Sequence, residues 1–126
     1  MCELKKKDVH LNEQYFHIRK AKTAAGVRLV PIADKILPLV REFYEKSEND
    51  LFFGGITYPQ YKDMYKHVFP ETTPHSTRST FISFMAEIDT PRIIIQKIVG
   101  HASGTVTGDV YTRLSLQPLL DAVNRL

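Results

Sequence analysis

DVHLNEQYFHIRKAKTAAGVRLVPI, residues 8–32, is the stretch whose reading decides the fold class. DVHL (8–11), QYFHIRK (14–20) and VRLVPI (27–32) are dominated by β-branched, aromatic and aliphatic residues, the composition of strands. The turn-like pair Asn12-Glu13 separates the first two, and TAAG (23–26) separates the second from the third. Pro31 ends the third strand, because a proline has no N–H to give to a ladder. Three short segments joined by tight turns predict a small antiparallel sheet near the amino terminus.

Beyond residue 32 the period changes. From Asp34 to Lys46 the apolar residues Ile36, Leu37, Val40, Phe43 and Tyr44 recur at helical spacing, with Pro38 able to delay the start. LFFGG (51–55) is a short apolar segment closed by glycines. Helices are expected at 57–68, 74–88, 91–99, 106–112 and 116–126. Thr73-Pro74 and Thr90-Pro91 each place a capping hydroxyl before a proline suited to a first helical turn. Gly100 is placed to end a helix filled by Ile93, Ile94, Ile95, Ile98 and Val99. The fold class read from this order is α+β, a mainly helical domain with a small three-stranded antiparallel sheet near its amino terminus.

Composition narrows the class. A chain of 126 residues with 43% hydrophobic and 25% charged content describes one globular domain. No apolar run approaches the roughly 20 residues of a membrane span, and no signal peptide is expected in the opening residues. The single cysteine, Cys2, excludes an internal disulfide and suits a reducing compartment. The net charge of +3 is unevenly spread, since residues 1–30 hold seven Lys/Arg against three Asp/Glu. A basic quarter is compatible with a polyanion such as DNA; the run Lys5-Lys6-Lys7 also reads simply as a solvated turn.

TPHSTRSTF (73–81) gathers the first candidates for chemistry. With Thr73 as cap, His75 and Arg78 lie three apart at the start of a helix, whose free amides and positive dipole end favour a phosphate. Phe81, Phe84, Met85 and Ile88 are expected to fix that helix to the core. The bland alternative is a surface arginine beside a capping histidine, and His101 could equally be an ordinary loop residue. Neither His-x-x-x-His nor His-x-Glu occurs, so no metal site is expected. Ser76 and Ser79 lack the glycines of a nucleophile elbow, and Gly54-Gly55 lacks the Lys-Ser/Thr of a phosphate loop.

Taken together, His75-x-x-Arg78, then Gly100-His101, then Tyr111 ten residues after the histidine, resemble the carboxy-terminal signature of the tyrosine recombinases, the phage-integrase family. KTAAGVRLVPI (22–32) looks like the family's β-hairpin, with Lys22 matching its catalytic lysine. LKKKDV (4–9) looks like the family's Leu-x-Trp-x-Asp-Ile/Val, with Lys6 where tryptophan is frequent. The resemblance implies the catalytic-domain fold of DNA breaking–rejoining enzymes and a partner in double-stranded DNA. It also implies a chemistry. Tyrosine, with a pKa of about 10, is roughly 0.1% ionised at pH 7 and needs cationic neighbours or a base. Tyr111 would attack the scissile phosphate and form a 3′-phosphotyrosyl link. Arg78 and His101 would stabilise the transition state, His75 would assist proton transfer, and Lys22 would be the general acid. No metal, nucleotide or other cofactor is required. Type IB topoisomerases share this chemistry, but the tight Gly-His to Tyr spacing looks like an integrase.

The sequence also departs from the pattern. The family's first catalytic arginine sits in Arg-x-x-Glu, at a spacing that falls about four positions ahead of Met1, and Glu3 is not its glutamate. Ser79 stands where a second histidine often follows the arginine. Residues 1–126 are therefore expected to be a partial catalytic domain, lacking that arginine and the amino-terminal DNA-binding domains, and inactive or very weak alone. The intact parent is expected to integrate and excise DNA as a tetrameric synapse, in the cytoplasm of a bacterium or on behalf of a phage. The alternative is a non-cleaving DNA-binding or assembly module derived from a recombinase. In SLQPLLDAVNRL (115–126), Ser115 can cap, and Leu116, Leu119, Leu120, Val123 and Leu126 make an apolar stripe. That stripe either folds back onto its own core or, as the resemblance implies, docks on a neighbouring protomer.

Overall fold

The computed structural model describes residues 2–21, 26–101 and 115–126. The opening residues form the expected sheet: β1 (Val9–His10), β2 (Tyr15–Ile18) and β3 (Arg28–Pro31), antiparallel in the order β1-β2-β3. Phe16 lies opposite Val9 on one side and Val30 on the other, which fixes the register with Phe16 on the buried face. The strands are shorter than their apolar segments. The run Lys6–Asp8 forms a 3-10 turn instead of extending β1, and residues 11–14 turn through Gln14 at φ 62°. Lys6 is not simply solvated: its Nζ donates to the Ser47 carbonyl at 3.0 Å and lies 4.5 Å from the centre of the Tyr44 ring.

Five helices follow among the described residues: α1 (Leu37–Lys46), α2 (Tyr58–Val68), α3 (Pro74–Glu87), α4 (Arg92–Val99) and α5 (Leu116–Asn124). The α+β class is as the sequence predicts. Pro38 sits in the first turn of α1, where the missing N–H has no partner to lose. The expected short helix at 106–112 lies outside the described residues.

Two apolar clusters organise the chain. Leu4, Val9, Phe16, Ile32, Val40 and Phe52 join the sheet to α1 and to the 51–53 segment. That segment pairs with the chain start, with the Phe52 N–H donating to the Leu4 carbonyl at 2.8 Å. Met85, Ile95, Ile98, Leu119, Ala122 and Val123 join α3, α4 and α5. The end of β3 leads directly from the first cluster to the second: Ile32, 0% exposed, belongs to one, and Ala33 packs against the other. The stripe of α5 therefore folds back onto its own chain, with Leu119 at 1% exposure. Asn124 Oδ1 accepts from the Asp34 N–H at 2.8 Å, and Arg125 donates to the Ile88 carbonyl.

Two sequence expectations need correction. Thr90 does not cap α4; Pro91 takes the N-cap position and the Thr90 hydroxyl turns inward, buried and without a hydrogen-bond partner among the described residues. Phe84 does not anchor α3. It is 52% exposed, while Ile82 packs on the core, because the inward stripe runs through Phe81, Ile82, Met85 and Ile88 and leaves position 84 facing out.

Candidate active site

Thr73 and Pro74 start α3 as their types predict: Pro74 occupies the first helical position and the Thr73 N–H donates to Ser76 Oγ at 3.3 Å. His75 stands in the first turn, exposed. Arg78 is different. Four residues before Ile82 and seven before Met85, it falls on the core-facing stripe of α3 and is half-buried. Its Nε is shut away from solvent and has no hydrogen-bond partner among the described residues. A buried donor left unpaired costs about 1–3 kcal/mol, so such an atom calls for an explanation.

Gly100 explains the placement of His101. With φ 73° it adopts the left-handed conformation that ends α4, so that the N–H groups of Gly100 and His101 both donate to the Gln96 carbonyl, at 2.9 and 3.1 Å. His101 follows at the exposed mouth of a groove of about 540 Å³ between α3 and α4, which Ile82, Ala86, Thr90, Ile95 and Val99 also line. The α3 wall of this groove thus begins one turn beyond Arg78. Arg78 is on α3 and His101 just past the end of α4, the two helices that wall the groove, and His75 is at the solvent edge of the first turn of α3. Lys22 and Tyr111 lie outside the described residues.

A second groove, of about 410 Å³, opens between the chain start and β2 and gathers Lys5, Lys7, His17, Arg19 and Lys20. Within it Arg19 Nε lies 2.6 Å from Asp8 Oδ1. Burial pushes the Asp8 carboxyl up, but the hydrogen bond and charge of Arg19 outweigh it and hold the pKa below the usual carboxylate value. Sequence reasoning saw the basic opening quarter but not this pairing, which joins residues eleven positions apart across a turn. Among the described residues, no helix is long and apolar enough to cross a membrane, and no three His, Cys, Asp or Glu residues cluster as a metal-binding set.

The chain is 27% identical over 139 aligned positions to the tyrosine recombinase XerA of Pyrococcus furiosus, covering 99% of this chain and 48% of that protein. It is 21% identical to a tyrosine recombinase of Thermosipho africanus, over all of this chain and 48% of the relative. It is 25% identical to the transposase from transposon Tn916 of Enterococcus faecalis, over 88% of this chain and 34% of the relative. The chain therefore spans about half the length, or less, of the curated relatives it matches. No solved structure matches at comparable significance. The profile of the phage integrase family matches residues 1–117, which carry the sheet, α1 to α4, and every residue of the candidate site, and the chain belongs to that family.

Proposed function

We propose that this chain is catalytic-domain sequence of a site-specific recombinase that cuts and rejoins double-stranded DNA through a 3′-phosphotyrosyl link. The observation that carries the reading is the unpartnered, buried Nε of Arg78, one helical turn from a groove that His101 also lines. A guanidinium held on the core face by packing and given no carboxylate among the described residues is preorganised for an anion that arrives later. The free amides at the start of α3 add to the same field.

In this reading Tyr111 attacks the scissile phosphorus and the 5′-oxygen leaves, so the bond energy is kept in the phosphotyrosyl ester for rejoining. Arg78 and His101 hold the non-bridging oxygens as charge accumulates. His75, exposed in the first turn, assists proton transfer, and Lys22 protonates the leaving 5′-oxygen. The proposed setting is a synapse of four protomers on cytoplasmic DNA.

The test is a nicked suicide duplex resolved on a denaturing gel. No Arg-x-x-Glu precedes Leu4 in the 126 residues, and loss of one charge-stabilising donor typically costs about 10²–10³ in rate. The chain alone is expected to form adduct very slowly or not detectably. Joined to the further sequence that brings it to the length of its relatives, it is expected to form a covalent adduct that Tyr111→Phe abolishes. An adduct that survives Tyr111→Phe means the nucleophile is misassigned. Duplex binding without adduct in either form would favour the non-cleaving module.

A further inference from the structure

We infer that Arg28 is a positioning residue for His101, tying the end of α4 to the sheet; this rests on the proposed role of His101 as a phosphate contact. Arg28 opens β3, opposite Ile18. Its Nε donates to the Ile98 carbonyl at 2.7 Å and its Nη1 to the Gly26 carbonyl at 2.7 Å. One planar fork thus joins two backbone points that are 72 residues apart in sequence.

The end of α4 shows why the contact matters. The last carbonyls of a helix have no partner within it. In α4 the Gln96 carbonyl is taken by the N–H groups of Gly100 and His101, through the left-handed turn at Gly100. The Ile98 carbonyl is taken by Arg28, whose charge also suits the negative end of the helix dipole. Only Val99, which is buried, and Gly100 separate that carbonyl from His101. The backbone entering His101 is therefore held at two points, one supplied by its own helix and one by the strand. The same guanidinium grips Gly26, at the foot of β3, so the hairpin and the His101 turn cannot shift independently without breaking a charge-assisted bond. A lysine could supply the charge but not both directed bonds.

The test combines amide exchange with duplex binding in the 126-residue chain, for the wild type, Arg28→Gln, Arg28→Lys, His101→Ala and the Arg28→Gln/His101→Ala pair. Exchange at the Gly100 and His101 amides is expected to rise about tenfold in Arg28→Gln, while the amides of α5 keep their protection. Affinity for a short duplex should fall several-fold in Arg28→Gln and in His101→Ala, and the double variant should bind no more weakly than His101→Ala alone. Arg28→Lys should fall between wild type and Arg28→Gln, and it completes the cycle if the glutamine variant does not fold. Losses that multiply in the double variant, or exchange that rises everywhere or not at all, would overturn the inference. If the wild type binds no duplex, the proposed function fails, and local exchange at Gly100 and His101 alone decides whether Arg28 holds the turn.

Discussion

Helices α2 and α3 begin alike and end up differently. Both open on a threonine with a proline in the first turn, and both close a reciprocal cap: the Thr57 N–H donates to Gln60 Oε1 at 2.9 Å, and the Thr73 N–H to Ser76 Oγ at 3.3 Å. Yet α2 buries no residue, and Tyr58, Tyr61, Met64, Val68 and Phe69 all stand exposed. Its rings instead follow one another along the helix, with Tyr65 and Phe69 centred 5.2 Å apart. In α3, Met85 is fully enclosed by α4 and α5. Local signals start a helix, then, but packing decides which one can hold a side chain in a fixed place. Only α3 has the support that a reacting group needs.

That contrast is broken most directly by two matched truncations. Met85→Ala is expected to lower stability by about 2–5 kcal/mol, because it empties a closed site. Met64→Ala, at a position 61% exposed, should change it by less than about 0.5 kcal/mol. Denaturant titration of both measures the gap; equal losses would mean that α2 is packed after all.

A subtler break uses the cap. Thr57→Ala removes the acceptor of the Gln60 N–H and should cost α2 about 1 kcal/mol. Since α2 has little tertiary support, the loss should appear as faster amide exchange within residues 58–68 with the global midpoint nearly unmoved. A matching drop in global stability would count against treating α2 as separately fraying.

Two arginines sharpen the comparison at the level of single groups. Arg19 is largely exposed and is paired with buried Asp8, whereas Arg78 is half-buried with an Nε unpaired among the described residues. The folded pKa of Asp8 lies below its unfolded value, so its ionised form contributes stability above about pH 4 that is lost as pH falls through the depressed value. Asp8→Asn should flatten that acid limb in urea titrations between neutral and low pH, with an effect of order 1 kcal/mol. An unchanged limb would assign the acid sensitivity to other carboxylates.

The smallest stability effect is expected at the charge proposed to meet the phosphate. Arg78→Met keeps the aliphatic stem and removes a buried donor that has no partner among the described residues, so stability should be unchanged or slightly raised. Duplex affinity should nevertheless fall, as measured by fluorescence anisotropy at fixed salt. Marked destabilisation by Arg78→Met would show that the guanidinium serves the fold rather than an incoming anion.

Much of this was legible in the linear chain because it depends on neighbours. Segments rich in β-branched, aromatic and aliphatic residues, with turn-like residues between them, marked the sheet. The Thr73-Pro74 start marked α3, and Gly100 marked the end of α4, because capping and left-handed turns are settled within a few residues. The order of His75, Arg78, Gly100-His101 and Tyr111 pointed to a family that the profile match then established. What the tertiary structure alone decided is which faces are covered. Thr90 turned inward rather than capping, Phe84 yielded its core place to Ile82, and α5 closed on its own chain. Arg28 found the Ile98 carbonyl across 70 positions and Arg19 found Asp8. Such pairings follow from where whole elements come to rest, and their energy is shared among many distant contacts, so no short window of sequence contains them.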